Sequence, residues 1–150
     1  QSEGYFPMRV YLDNCCFNRP FDDQSQARIR LEAEAKLEIQ RRIAEGELEL
    51  AWSYVLDFEN RANPFEVRRN LVARWKSEAA VDIVQTNDVI RQAHEVAQRG
   101  LSATDALHIA CALAAECNFF ITTDDVIVKN MQGFALLTVI GPTRFIVEVE

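Results

Sequence analysis

The chain has 150 residues, a net charge of −7, 49% hydrophobic residues and 26% charged residues. This length fits one domain with its own core, and the composition is ordinary for a globular protein. The negative charge argues against a protein that grips DNA with a broad basic face, and no apolar run approaches the roughly 20 residues of a membrane span. We therefore expect a cytoplasmic protein with no membrane segment.

The first residues do not look like part of the fold. Gln1–Pro7 has neither the charged nor the apolar region of a secretory signal, and a strand pattern begins at Met8. We expect Gln1–Pro7 to be left over from expression, and the domain to span residues 8–150.

Strand patterns and helix patterns alternate along the chain. The predicted strands are Met8–Leu12, Leu48–Trp52, Phe119–Thr122 and Ala135–Ile140, and Phe145–Val149 is expected to be an edge strand or a tail. The predicted helices run from Ser25 to Glu45, Ser53 to Glu59, Phe65 to Ala79, Asn87 to Gln98 and Ser102 to Glu116, with a short one starting at Asp124, while Asp13–Gln24 is expected to be a loop. This alternation predicts an α/β domain with a mainly parallel central sheet and helices on both faces.

The helix predicted from Ser25 to Glu45 has two apolar stripes. Ile29, Ala33 and Leu37 form one stripe, and Leu31, Ala35, Ile39 and Ile43 form the other. Since one core covers only one stripe cleanly, we expect the other to be buried by a second copy of the chain or by a protein partner.

The four cysteines, Cys15, Cys16, Cys111 and Cys117, are not spaced as zinc ligands. We expect free, buried thiols in a reducing compartment, with no disulfide and no tightly bound zinc.

Four acids fall at or just beyond the carboxyl ends of predicted strands. They are Asp13 after the first strand, Glu59 on the helix after the second, Asp105 at the start of the most apolar helix, and Asp124 after the strand that follows it. Sites in parallel sheets form at this edge. Acids gathered there repel one another unless cations lie between them, and oxygen ligands suit Mg²⁺ or Mn²⁺. Such a cluster is typical of hydrolysis by metal-activated water.

Taken singly, each acid also has a structural interpretation. Asp13 can bind loop amides, and Glu59 can be an ordinary surface residue. Asp105 stands three residues after Ser102, which is the spacing of a capping box, and Asp124 can cap a helix. The case for a site depends on their shared position relative to the strands.

Three strings resemble one known family. YLDN at Tyr11–Asn14, TDALHIACA at Thr104–Ala112 and ITTDD at Ile121–Asp125 are similar to the PIN-domain pattern. That family includes the VapC-like toxins of bacterial toxin–antitoxin pairs. The resemblance extends from about Met8 to Ile140.

The resemblance implies a metal-dependent endoribonuclease. In it, Asp13, Glu59, Asp105 and Asp124 would be the catalytic metal-site acids, Asp125 would replace or assist Asp124, and Thr122 would orient a ligand or phosphate. It implies RNA as substrate, Mg²⁺ or Mn²⁺ as cofactor, products with a 5′-phosphate and a 3′-hydroxyl, and a small antitoxin protein as partner. The homodimer is expected from the two apolar stripes of the helix from Ser25 to Glu45.

The loop Cys15–Gln24 departs from the toxin pattern and suggests a distinct branch. Asn14 and Arg19 lie close to Asp13 in sequence, and we predict that they contact substrate. The other interpretation is a structural loop ordered by its Asn and Asp residues. His108 lies one turn after Asp105, and we interpret it as a histidine hydrogen-bonded within a packed helix.

Two other functional classes compete. One is a PIN-fold binding or regulatory protein that does not cut RNA. The other is a phosphatase-like enzyme with a nucleophilic aspartate at Asp13. That chemistry usually uses a second aspartate two residues later, where this chain has Cys15.

Overall fold

The computed structural model describes residues 7–149, so most of Gln1–Pro7 lies outside the described residues. The strands of this part are Met8–Leu12 (β1), Leu48–Ser53 (β2), Ala79–Ile83 (β3), Phe119–Ile121 (β4) and Thr138–Ile140 (β5). The α-helices are Asn14–Asn18 (α1), Ala27–Ala44 (α2), Tyr54–Arg61 (α3), Glu66–Ala73 (α4), Asn87–Ala97 (α5), Ala103–Ala114 (α6), Asp125–Asn130 (α7) and Pro142–Val149 (α8). Short 3-10 helices, Arg19–Phe21 and Arg74–Glu78, follow α1 and α4.

The five strands form one sheet in the order β3-β2-β1-β4-β5, and every neighbouring pair is parallel. Val10, Tyr11 and Leu12 of the central strand β1 are each 0% exposed. Because successive side chains of a strand point to opposite faces, both faces of β1 are covered. The predicted α/β fold with a parallel sheet flanked by helices is confirmed.

Helix α6 is the most deeply buried helix, as its apolar sequence predicts. Ser102 caps it by accepting a hydrogen bond from Asp105 N at 3.1 Å. Ile109, Ala110 and Cys111 are each 0% exposed. The helix packs on α5 and contacts β2 and β4, the two neighbours of the central strand β1.

The burial of the two apolar stripes of α2 differs from the expectation. Ala35, Ile39 and Ile43 of the second stripe are buried within this chain, and Ile39 is 0% exposed. Only Leu31 of that stripe is exposed, at 54%, together with Leu37 of the first stripe at 53%. The second stripe therefore does not need a partner to cover it, and the homodimer stays a prediction.

Three local expectations are wrong. The loop Asp13–Gln24 contains α1 and a 3-10 helix, because Asp13 caps α1 by accepting from Asn14 N. The helix expected over Phe65–Ala79 ends at Ala73, and the edge strand β3 follows it, with side chains alternately half-buried and exposed. The last segment is helix α8 rather than an edge strand or tail, with Pro142 at its first position.

All four cysteines are free, and three of them are buried. Burial raises the pKa of Cys111 and of Cys117 to about 12, so both stay protonated thiols. Within residues 7–149, no helix combines the length and apolar character that crossing a membrane requires.

A candidate metal centre at the carboxyl edge of the sheet

Asp13 stands where β1 ends, next to the end of β4. Its backbone N–H donates to the Ile121 carbonyl at 2.9 Å, which continues the pairing of the two strands by one residue. The carboxylate is 7% exposed and accepts from Asn14 N at 2.8 Å and from Thr122 Oγ1 at 2.8 Å. Parallel pairing therefore brings Thr122 against Asp13, and the hydroxyl fixes one carboxylate oxygen.

Glu59 and His108 complete a compact group with Asp13. The Nε2 atom of His108 lies 2.6 Å from Glu59 Oε1 and 3.9 Å from Asp13 Oδ1. One ligand atom from each of the three residues lies within 4.8 Å of the others. Glu59 comes from α3 and His108 from α6, so three separate elements converge on one point.

His108 is held on its far side by a chain of hydroxyls. Its Nδ1 atom lies 2.6 Å from the Tyr11 hydroxyl, which lies 2.6 Å from Ser53 Oγ. Ser53 in turn caps α3, the helix of Glu59, by accepting from Leu56 N at 3.2 Å. Since Ser53 Oγ accepts from that amide, its own hydroxyl proton can be donated to the Tyr11 oxygen. The Tyr11 hydroxyl then donates to His108 Nδ1, and the Nε2–H group of His108 donates to the Glu59 carboxylate.

The ionisation of this group follows from burial and charge. Burial alone lowers the pKa of His108, but the hydrogen bond to Glu59 and the charge of Asp13 outweigh it and raise the pKa overall. Burial, mainly, raises the pKa of Tyr11 well above its ordinary value, so the phenol stays protonated and able to donate.

Asp105 and Asp124 lie at the margin of the group, and we call all five residues, Asp13, Glu59, Asp105, His108 and Asp124, the acid site. Burial raises the pKa of Asp105, and the charges of Asp13 and Asp124 raise it further. Asp124 is exposed and caps α7, accepting from Val126 N at 2.9 Å. Its own N–H donates to Thr122 Oγ1 at 3.1 Å, so Thr122 links Asp124 to Asp13.

The remaining predicted site residues make other contacts. Asp125 is 75% exposed and binds Arg28 through two hydrogen bonds of 2.8 Å. Arg19 binds Glu32 at 2.8 Å and Asp22 at 3.1 Å. The Asn14 side chain accepts from Asn18 Nδ2 at 3.3 Å. Of these three residues, only Asn14 contacts the acid site directly, through its backbone N–H.

The sequence predicts a structural role for His108 and a helix-capping role for Ser53, which the structure confirms, and it indicates no role for Tyr11. His108 is indeed hydrogen-bonded within a packed helix, with 1% of the residue exposed, but one of its partners is Glu59. Its position one turn after Asp105 was the available signal. Nothing in the sequence links Tyr11 to His108, which lies 97 residues away.

The comparisons with known proteins concern the family and the fold of the chain. The PIN domain profile matches residues 10–131, which is most of the chain. The chain therefore belongs to the PIN domain family, as its motifs predicted.

Among solved structures, the chain is similar to a chain in the crystal structure of VapBC2 from Rickettsia felis bound to a DNA fragment from their promoter. The identity is 12% and the TM-score is 0.55, over 88% of this chain and 97% of that one. At this identity, the likeness concerns the fold. No curated protein sequence matches the chain.

Proposed function

We propose that the chain is a metal-dependent endoribonuclease and the toxin component of a toxin–antitoxin pair. The observation that carries the proposal is the convergence of Asp13, Glu59 and His108 within 4.8 Å, at the edge of a parallel sheet where such folds place their sites. Family membership supports the same class of chemistry.

The donor set fits a hard divalent cation. Carboxylate oxygens of Asp13 and Glu59 are the ligands that Mg²⁺ and Mn²⁺ prefer, and Asp105 and Asp124 stand close enough to add charge. Burial is the main cause of the raised pKa of Asp105, and the repulsion from Asp13 and Asp124 that adds to it is relieved by a cation. We assign these four acids to the metal. Asp125 is the weakest of the predicted ligands, because Arg28 already neutralises it.

A bound divalent ion would supply an activated water and stabilise charge on the phosphate. The chain's own residues hold the geometry. His108 orients Glu59 through its 2.6 Å hydrogen bond, and Thr122 orients Asp13 at 2.8 Å. Thr122 is 0% exposed, so we assign it to positioning Asp13 rather than to direct contact with substrate.

For substrate binding, we propose Asn14, which follows Asp13 directly and is half-buried. Arg19 was predicted to contact substrate, but it bridges Glu32 and Asp22. We propose that it orders the segment after α1. The products would carry a 5′-phosphate and a 3′-hydroxyl.

The partners are proposed on family grounds. The fold likeness to a chain of a VapBC2 structure supports a small antitoxin protein as partner. We also propose a homodimer, in which a second copy covers exposed Leu31 of α2.

The test compares wild type with Asp13→Asn on a labelled RNA pool. The substitution removes one ligand charge while its amide still fills the site, so the fold should persist and the cleavage rate should fall by about a hundredfold or more. EDTA should stop wild-type cleavage and Mn²⁺ should restore it. Asp88→Asn, an exposed residue of α5 that pairs with Arg91, is the matched control and should cut as wild type does.

Equal cleavage by wild type and Asp13→Asn, or cleavage that persists in EDTA, would overturn the metal mechanism. If no RNA is cut while the protein binds a partner tightly, the non-catalytic binding function replaces it. Mapping the RNA ends checks the predicted 5′-phosphate.

A further inference from the structure

A cavity of about 610 Å³ lies away from the acid site, between α1, α2 and α4 with the 3-10 helix that follows it. Its walls are mainly apolar and include Phe17, Phe21, Leu71 and Trp75. Leu71 and Phe21 are 36% and 37% exposed, so two large apolar side chains of the wall are open to solvent. The volume falls within the roughly 300–1,000 Å³ of small-molecule sites.

Lys36 of α2 lines this cavity and is only 4% exposed. Its ammonium group lies 5.3 Å from the centroid of the Phe17 ring. Among residues 7–149, no carboxylate forms an ion pair with it. A lysine this deeply buried is rarely found without a partner.

Gln40 lies one turn further along the same face of α2 and lines the same cavity. It is 7% exposed, and its Nε2 atom is buried without a hydrogen-bond partner in the described part of the chain. Leaving such a donor unpaired costs free energy, on the order of 1–3 kcal/mol by general experience. Two donors on one helix face, one of them cationic, therefore lie in the wall of an apolar cavity.

We propose that this cavity binds a small monocarboxylic acid with an apolar body, whose carboxylate accepts hydrogen bonds from Lys36 and Gln40. The cavity offers buried donors, so the complementary group is an acceptor, and one ammonium group balances one negative charge. The apolar walls suit an alkyl or aromatic body. Arg74 and Glu78, both exposed, supply one charge of each sign at the rim.

Binding of the acid is coupled to a proton. Burial lowers the pKa of Lys36 to about 7, against a smaller opposing effect of Cys16. A carboxylate beside the amine favours its charged form. At pH 8 the ligand therefore takes up a proton as it binds, and this separates contact with Lys36 from simple partition of an apolar molecule into the cavity.

The test is calorimetric titration of the full chain with octanoate and with octan-1-ol at pH 8. We expect one octanoate per chain, bound at least tenfold more tightly than the alcohol. Titration in two buffers of different ionisation heat should show proton uptake approaching one per octanoate. Lys36→Met should lose at least tenfold in affinity for octanoate, keep its affinity for octan-1-ol, and take up no proton. Lys129→Met, an exposed lysine of α7, should behave as wild type.

Gln40→Glu is a second, independent variant. It places a carboxylate one turn from Lys36, where it mimics the ligand, and should weaken octanoate binding at least tenfold. Thermal unfolding checks that each variant is folded. The proposal is overturned if neither compound binds, if octanoate binds no better than octan-1-ol, or if Lys36→Met or Gln40→Glu binds octanoate as wild type does. None of these outcomes depends on RNA cleavage.

Discussion

The acid site and the cavity beside α2 both bury polar side chains, but they partner them differently. At the acid site, His108, Tyr11 and Ser53 satisfy one another in an unbroken chain of 2.6 Å contacts that ends on Glu59. In the cavity, Lys36 and Gln40 are as deeply buried, yet no side chain of the described residues accepts from either. A satisfied network gives rigidity and fixes a geometry, whereas unsatisfied donors indicate a place for something from outside. The comparison predicts that replacing a buried polar side chain lowers the free energy of unfolding at the acid site and raises it in the cavity.

The largest effect is expected at His108. Replacing it with Leu leaves the Tyr11 hydroxyl without its acceptor and removes a hydrogen bond to a carboxylate. We expect the free energy of unfolding to fall by about 3 kcal/mol. Urea denaturation measures the change. His94→Leu, at an exposed position of α5, is the control and should change stability by less than about 0.5 kcal/mol. Equal effects at the two histidines would contradict the network.

At Lys36, by contrast, we expect substitution to increase the free energy of unfolding. Its pKa of about 7 in the folded chain is lower than the value of roughly 10.4 in an unfolded chain. Between these values the unfolded state binds more protons, so the stability of the wild type rises as pH increases from 7 to 10. Burying the charged amine therefore costs folding free energy at pH 7, and Lys36→Met removes this cost. The variant should have a free energy of unfolding higher than that of wild type by on the order of 2 kcal/mol at pH 7, and the difference should shrink towards pH 10.

Urea denaturation of both proteins across this pH range measures the gap. The expected stability difference is smaller than the pKa shift alone would give, because the ammonium group is stabilised by its contact with the Phe17 ring. Lys129→Met should show a gap that does not change with pH. A constant gap for Lys36→Met would mean that the amine is not the source of the penalty.

The smallest stability change is expected from removing a tyrosine hydroxyl, and two tyrosines with different surroundings allow a comparison. Tyr11→Phe breaks the link between Ser53 and His108 and should cost about 1.5 kcal/mol. The Tyr54 hydroxyl is buried with no partner in the described chain, so Tyr54→Phe should cost nothing or stabilise slightly. Thermal unfolding of the two variants side by side gives the difference. A larger loss at Tyr54 than at Tyr11 would reverse the comparison.

Much of the fold follows from the sequence because its strongest signals are local. The strands β1, β2 and β4 are short buried runs, and α6 is apolar with a clear cap at Ser102. The strand β3 was missed because it lies at the sheet edge, where only alternate side chains are half-buried, and it directly follows a helical segment. In α8, the mainly β-branched run Phe145–Val149 resembles a strand, but Pro142 at the first helical position favours a helix.

The sequence predicts only those parts of the site that follow from the order of strands and helices along the chain. The rule that sites form at strand ends pointed to Asp13 without any tertiary information, and the structure places it beside Glu59 and His108. Adjacent Asp124 and Asp125 are alike in sequence, and only their contacts distinguish them. Asp124 caps α7 beside Thr122, whereas Asp125 turns to Arg28. Hydrogen bonds between residues about a hundred positions apart leave no local pattern.

The placement of β1 at the centre of the sheet has a consequence for biosynthesis. Asp13 leaves the ribosome well before the hydroxyl that orients it, because Thr122 follows 109 residues later. His108 likewise follows Tyr11 by 97 residues. Contacts this distant in sequence form late, because a long loop must close before they can stabilise the chain. A nascent chain therefore carries Asp13 without a complete acid site until the segment with His108 and Thr122 has been made and has folded onto β1.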